Sequence, residues 1–414
     1  MSRRPRLTGR GQVFLALGLV VVAIGTLLGF PDITRAGVLA ACLPLLAFAV
    51  AWRPAPPMTL QRIVDPALVA PDEQARVDLT FRGRGHRLSP LQIAEEPVDP
   101  LLGDSPRFLL PRMDPGERHV VSYRVSSPYR GAHRLGPLRL ERRDPFGMTT
   151  ASVALPGEGQ LVVLPRIEAL GPDRVRGGGL GREGQVPHMV ALHGEDDVSI
   201  RAYRDGDDLR RVHWPTTAHR GELMVRQEDR PARRRAVLLL DPRTGAFHRA
   251  GEAFEWAVRA VASVAVHLAQ DGYAVHVVGA GDPSVTQLPA VLRALALVEP
   301  SADDLTTQVR EAHALTSEGA VVVAVVADRD PEEVLTVPAV RSPGSLGVAL
   351  VLDTGSFADD APAARADDGD LAPLFTAAGW RTRTVRDGDT VAGAWAGATR
   401  GVGGLRTGVP AGRR

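Results

Sequence analysis

Two charge-free apolar runs set the first constraint on this chain. Residues 13–30 (VFLALGLVVVAIGTLLGF) and 36–52 (AGVLAACLPLLAFAVAW) are separated only by PDITR, residues 31–35. At about 1.5 Å per residue, each run as a helix covers most of a hydrocarbon core roughly 30 Å thick. The connector is long enough only for a helical hairpin. Arg3, Arg4, Arg6 and Arg10 precede the first run, Arg53 and Arg62 follow the second, and the connector holds only Arg35. Positive-inside bias then predicts both flanks in the cytoplasm. A cleaved signal peptide would show a small-residue site after the first run, and a second apolar run stands there instead. Leu39-Ala40-Ala41-Cys42 has the outline of a lipoprotein box, but its cysteine lies inside an apolar run with Asp32 and Arg35 upstream. Residues 1–57 are therefore expected to be an N-terminal arm and two transmembrane helices in a cell membrane, with the bulk of the chain facing the cytoplasm.

After the stiff spacer Arg53-Pro54-Ala55-Pro56-Pro57, short alternations begin. Val77, Leu79 and Phe81 alternate with polar residues, as do Val121, Tyr123 and Val125; Leu138 and Leu140 continue the pattern, and LVVL (161–164) is a buried-strand run. Asp-Pro-Gly (114–116), Ser-Pro-Tyr (127–129) and Asp-Pro-Phe-Gly (144–147) are turn signals between them. Short strands at such intervals predict a small β-sandwich over 58–170, without a catalytic constellation and suited to a spacer or interaction role. The glycine-rich stretch 171–187 lacks the Gly-Lys-Ser/Thr ending of a phosphate loop and reads as a flexible connector, opening a linker and motif region over 171–232.

The pattern changes at residue 233. AVLLL (236–240), AVHVV (274–278), VVVAVV (321–326), VALVL (348–352) and WRTRTV (380–385) read as strands. Helical stretches fall between them: a stripe over 250–270 built on Phe254, Ala257, Val258, Val261, Ala265 and Leu268, then 287–297, 303–315 and 371–378. This alternation predicts a mostly parallel sheet with helices on both faces over 233–400, a three-layer α/β unit. Residues 356–370 read as an acidic, Ala-rich loop and 401–414 as a disordered tail. Open α/β sheets bind ligands outside the carboxyl ends of their strands. Asp241, Asp328 and Asp353 stand there, with Asp282 in the loop after the second strand. Such carboxylates can hold Mg²⁺ or Ca²⁺ through oxygen, and they can equally cap a helix or close a turn.

Composition narrows the chemistry. All 49 basic residues are arginine, so catalytic lysine is excluded, and the one cysteine, Cys42, excludes an intramolecular disulfide and any multi-cysteine metal site. The net charge of +1 gives no bulk argument for a nucleic-acid partner.

Residues 199–226 (SIRAYRDGDDLRRVHWPTTAHRGELMVR) are dense in charge and aromatics, with neither a helix nor a strand period. Arginine's planar fork suits bidentate carboxylate pairing, so Arg201, Asp207 and Arg210 are expected to form a hydrogen-bonded network. Gly206 would permit a positive-φ turn beside Asp207. Tyr203 and Trp214 would pack on the arginines or cover the sheet, and Pro215 biases Trp214 away from helix. The network either staples domains together or presents a docking surface. His213 has no paired Ser or Cys nucleophile, and the arginines among Asp205, Asp207 and Asp208 favour neutralised ion pairs over a metal site.

This segment resembles the signature of the bacterial domain of unknown function 58 family. That pattern runs Arg-x-Tyr-x-x-Gly-Asp-x-x-Arg-x-(aliphatic)-x-Trp, then a Ser/Thr-Ala-Arg element and a basic strand. Arg201, Tyr203, Gly206, Asp207, Arg210, Val212, Trp214, Thr217 and Ala218 match it; His219 stands where Arg or Lys is usual, and Arg220 follows. RDPFGM (143–148) resembles a second family element, and the paired N-terminal helices a third. The resemblance implies that the C-terminal unit is similar to a von Willebrand factor type A domain. Such domains often bind a metal through Asp-x-Ser-x-Ser after the first strand. Here the sequence is Asp241-Pro242-Arg243-Thr244-Gly245, which lacks both serines and brings a cation close. Relatives commonly accompany MoxR-type AAA+ ATPases and transglutaminase-like membrane proteins. The implied role is a non-enzymatic, membrane-anchored platform for an AAA+ ATPase and other membrane proteins. The alternative is a metal-dependent hydrolase using Asp241, Asp328 and Asp353.

Overall fold

A computed structural model describes residues 5–52, 58–83, 92–111, 113–114, 116–171, 198–203, 212, 214–228, 234–247, 251–316, 320–357 and 371–400. The chain divides into two compact units, residues 1–166 with 292–298, and residues 167–291 with 299–414.

The first unit opens with a short strand, β1 (Arg6–Leu7), followed by helices α1 (Gly9–Leu27) and α2 (Pro31–Ala51). Thr8 caps α1 by accepting from the Gly11 N–H, and Pro31 opens α2 where a missing N–H costs nothing. Both helices are long and apolar enough to cross a membrane. Their buried positions are small: Gly11, Gly18 and Gly25 on α1, and Gly37, Ala41, Pro44 and Ala47 on α2. A Cβ added at Gly18 would lie 2.6 Å from the Ala41 nitrogen, and one at Gly37 would lie 2.6 Å from the Val22 nitrogen. The two backbones therefore touch, while Val13, Leu17, Leu28, Leu39 and Leu46 point outward and stay exposed.

The rest of this unit is antiparallel apart from one short pairing. In chain order the strands are β2 (Met58–Asp65), β3 (Leu68–Val69), β4 (Ala75–Gly83), β5 (Gln92–Glu95), β6 (Arg107–Leu110), β7 (Arg118–Val125), β8 (Gly131–Leu135), β9 (Arg139–Arg143), β10 (Thr149–Ala154) and β11 (Gly159–Val163). They form sheets ordered β1-β10-β9-β5-β6, β3-β11-β8 and β2-β4-β7. On β4, Val77, Leu79 and Phe81 are fully buried, as the alternation predicts, and they join Leu110, Leu135, Leu138, Leu161 and Val163 in one core. Arg62, counted from sequence as a membrane-flanking cation, instead sits on β2 with its side chain buried. Its Nη2 lies 2.6 Å from Glu96 Oε1, and its Nη1 donates to the Gly157 carbonyl at 2.8 Å. Burial raises the Glu96 pKa above the ordinary value, although the Arg62 charge and hydrogen bond oppose it.

In the second unit, strand β12 (Val198–Ala202), helix α3 (Trp214–Arg220) and strand β13 (Met224–Glu228) come first. The described part of the signature region is thus two paired strands and a helical turn. Then follow β14 (Arg235–Leu240), α4 (Glu252–Gln270), β15 (Ala274–Val278), α5 (Leu288–Leu297, of which residues 292–297 count with the first unit), α6 (Leu305–Leu315), β16 (Val321–Ala327), α7 (Pro331–Val334), β17 (Gly347–Leu352), α8 (Ala372–Ala377), β18 (Arg381–Val385) and α9 (Val391–Thr399). The five strands β15-β14-β16-β17-β18 pair in parallel throughout. Numbered within this sheet, the order is 2-1-3-4-5, a doubly wound order. Val237 and Leu239 pack with Leu305 and Val309 of α6, Val334 of α7 and Phe375 of α8. Alternation sends Ala236, Leu238 and Leu240 to the opposite face. There α4, whose whole predicted stripe is buried, packs on β14, β15 and β16, beside α9, which packs on β17 and β18.

Candidate functional site

Three constellations bear on function. The first is the RDPFGM turn joining β9 to β10. Asp144 Oδ1 accepts from the Phe146 N–H at 2.8 Å, while Oδ2 accepts from the Thr149 hydroxyl at 2.9 Å and from the Thr149 N–H. Gly147 takes a positive φ of 67°, which glycine tolerates best. The carbonyls at the tip of this turn then hold the helical hairpin. Thr8 Oγ1 donates to the Gly147 carbonyl at 2.7 Å, and the Thr8 N–H to the Met148 carbonyl at 2.8 Å. Burial alone would raise the Asp144 pKa. The hydrogen bonds from Thr149, then those from Phe146 and Met148, outweigh it and hold the carboxyl below its ordinary range.

The second lies at the switch point of the parallel sheet, outside the carboxyl ends of β14 and β16. Asp241, directly after β14, is fully buried. Its Oδ1 accepts from the Arg243 N–H at 3.1 Å and from Arg243 Nε at 3.0 Å; its Oδ2 accepts from Arg243 Nη2 at 2.9 Å and from the Ala327 N–H at 3.2 Å. The same guanidinium donates to the Arg329 carbonyl at 3.2 Å and to Glu333 Oε2 at 3.3 Å. Burial alone would lower the Arg243 pKa; the bond and charge of Asp241, then Glu333 and Asp330, turn the shift upward, so the cation is permanent. Thr244 Oγ1 turns away and donates to the Ser301 carbonyl at 2.9 Å.

The other carboxylates at this end of the sheet each have their own partner. Asp328 Oδ1 accepts from the Thr354 hydroxyl at 2.7 Å, Asp353 Oδ2 lies 3.3 Å from Arg386 Nε, and Asp282 Oδ1 accepts from the Ser284 N–H at 2.8 Å. Among the described residues no group of three or more His, Cys, Asp or Glu side chains is placed to hold a metal ion. A divalent cation does not fit at Asp241, because a guanidinium fork already spans both of its oxygens and the remaining hydroxyl of the motif faces elsewhere. Sequence placed Asp241 and its neighbouring cation correctly at this edge. It gave no sign of Glu333 or of the Arg329 carbonyl, which arrive from 86 or more residues away.

The third is the signature. Arg201 pairs in register with Val225 and Ala202 with Met224. The Tyr203 N–H donates to the Leu223 carbonyl at 2.8 Å, and the Met224 N–H donates to Thr217 Oγ1 at 3.0 Å. Thr217 therefore ties α3 to the start of β13. Val212, Met224 and Val225 are buried. Trp214 begins α3, with Pro215 in the first turn where its missing N–H is tolerated; the expected bias away from helix is overridden there. Its side chain is 67% exposed, and Ala218, His219 and Arg220 are exposed beside it. Gly206, Asp207, Arg210 and His213 lie outside the described residues, as does the predicted arginine–aspartate network.

None of the curated proteins compared matches this chain. Among solved structures, two determinations of the CARDB domain of the PF1109 protein from Pyrococcus furiosus are similar at 13% identity and a TM-score of 0.18. Each covers 25% of this chain, and 90% and 97% of their own; one of them is in complex with di-metal ions. The alkylpurine DNA glycosylase AlkC of Pseudomonas fluorescens, bound to DNA containing an abasic site analog, is similar at 12% identity and a TM-score of 0.19. It covers 32% of this chain, which spans 38% of that protein. Agreement at this level carries no argument about fold. Residues 199–337, from the signature into the α/β unit, match the model of the family described as Protein of unknown function DUF58, in support of the resemblance carried by the signature.

Proposed function

We propose that this chain is a membrane-anchored accessory protein that performs no chemistry of its own. It offers a protein-binding surface to an AAA+ ATPase of the MoxR type, in the assembly or maturation of other proteins. The observation that carries this reading is Arg243: the ligand end of the α/β sheet is filled from within by a side chain, so the usual seat of a metal or substrate is closed. We read the unit as von Willebrand A-like with its cation built in. The exposed Trp214 supports the docking role of the signature over the internal staple, because large aromatics left in water are characteristic of binding surfaces. The hairpin is the anchor; small residues between the helices and large apolar residues outside them are how helices pack in lipid.

The test is affinity purification of tagged full-length protein from solubilised membranes, with and without ATP. A nucleotide-sensitive AAA+ partner that is lost in Trp214→Ala is the expected result. A folded, membrane-inserted protein that brings down no such partner overturns the proposal.

A further inference from the structure

The foot of the helical hairpin carries a cavity of about 550 Å³ that the platform reading leaves unused. Thr8, Gly9 and Arg10 form one wall, and Glu141, Arg143 and Thr150 of the β9–β10 ribbon form the other. Its position is fixed twice over. Thr8 is held on the Gly147 and Met148 carbonyls, and β1 pairs with β10, Arg6 opposite Thr150. At the same end of the hairpin, the last turn of α2 receives Arg142 Nη2 on the Ala51 carbonyl at 3.3 Å. The cavity therefore opens where the apolar stretches of α1 and α2 give way to polar chain.

The charge of the cavity is unbalanced. Its one carboxylate, Glu141, is already engaged: Oε1 accepts from Arg143 Nε and from Thr150 Oγ1, both at 2.9 Å. These bonds aim the Arg143 guanidinium by its Nε edge and leave its terminal amino groups without a partner among the described residues. Arg10 is exposed and has no partner there either, and Arg6 is exposed on β1. The first turn of α1 contributes no acidic residue. Two guanidinium groups facing one space suit a phosphate diester, whose oxygens accept paired N–H bonds.

We infer that this cavity is a binding site for the phosphate headgroup of an anionic phospholipid, with Arg10 and Arg143 as its two clamps. The inference rests on the membrane-anchored reading, because only in a bilayer does the end of the apolar helices lie at headgroup level. Arginines next to a membrane span are attracted to anionic lipid in any case. What the cavity adds is a fixed place for one headgroup, aligned by Glu141 and Thr150, beyond a diffuse attraction.

The experiment uses the full-length chain in lipid nanodiscs of phosphatidylcholine, with or without a minority of phosphatidylglycerol. Retained lipid is counted by native mass spectrometry. The wild type is expected to retain phosphatidylglycerol in preference to phosphatidylcholine. Arg10→Gln with Arg143→Gln should weaken that preference on the order of tenfold, as for the loss of one to two charge contacts at an anionic surface. Arg10→Gln alone, at a residue that supports no other group, should give a smaller loss in the same direction. Arg118→Gln, which removes an exposed arginine on β7, should leave the preference unchanged. Equal retention of the two lipids by the wild type, or an effect of Arg118→Gln matching that of the double variant, overturns the site. So does inorganic phosphate stabilising the detergent-solubilised protein as strongly as phosphatidylglycerol, since the ligand would then be a free anion. A carbonate wash of membranes separates the two claims. A chain stripped off by carbonate removes the anchoring reading as well, whereas a chain that stays in the membrane without lipid preference removes only the site.

Discussion

At the scale of single residues, the decisive pair is Asp241 and Arg243. A buried ion pair is weak evidence for stability, but removing one partner strands the other charge away from water. Arg243→Ala is therefore expected to cost about 3–5 kcal/mol, read by thermal or chemical denaturation of the full chain. Arg243→Lys should recover little of it, because a lysine ammonium cannot span both oxygens of Asp241. A loss under about 1 kcal/mol for Arg243→Ala would mean that the fork is incidental. The same geometry predicts that Mg²⁺ or Ca²⁺ titration shows no saturable binding, and that a chelator leaves the melting temperature unchanged. Asp241 and its position at a strand end were legible in the sequence, since a buried apolar run ending in Asp marks that edge. Its neutralisation was half legible, in an arginine two residues later. The partners of Asp328 and Asp353 were not legible. Thr354 and Arg386 come from other elements, and sequence spacing carries no information on reach.

At the scale of elements, the hairpin and its clasp are the clearest case of residue choice dictating packing. Gly11 faces the Met148 carbonyl, where an added Cβ would lie only 2.3 Å from the oxygen. Gly11→Ala should therefore lever α1 off the turn and destabilise the first unit by about 1–3 kcal/mol, visible as a lower melting temperature in detergent. Asp144 gives the clasp a pH dependence. Its folded pKa is depressed, so its stabilisation is fully present above the ordinary carboxylate range and is lost as the pH falls through the lowered value. Asp144→Asn should cost about 1 kcal/mol at neutral pH, and its melting curve should converge on that of the wild type in acid. The helices were readable as apolar runs, but their ends were not. Excluding charges moved the predicted starts to 13 and 36, whereas α1 begins after the Thr8 cap and α2 at Pro31. Helix α9, Val391–Thr399, went unread because VAGAWAGAT is rich in Gly and Ala and shows little apolar periodicity. Strands β5 and β6 are only four residues each, too short to establish a period.

At the scale of the whole molecule, the order of parts followed from the sequence: two apolar helices, a region of small sheets, then strands alternating with helices. Each part has its own period, and period is what sequence displays. The order of the parallel strands and the outward stance of Trp214 were not displayed, because both are set by tertiary pairing. Function rests on that second kind of information. On the proposed function the protein is anchored, Arg243 closes the ligand end of its sheet, and the exposed Trp214 meets a partner. The most direct measurement is photo-crosslinking in living cells, with a benzoylphenylalanine placed at position 214 of the full-length chain. An adduct with an AAA+ ATPase is expected, its yield changing when the ATPase is trapped with or without nucleotide. An adduct formed only within this chain, or none from a folded and membrane-inserted protein, would contradict it.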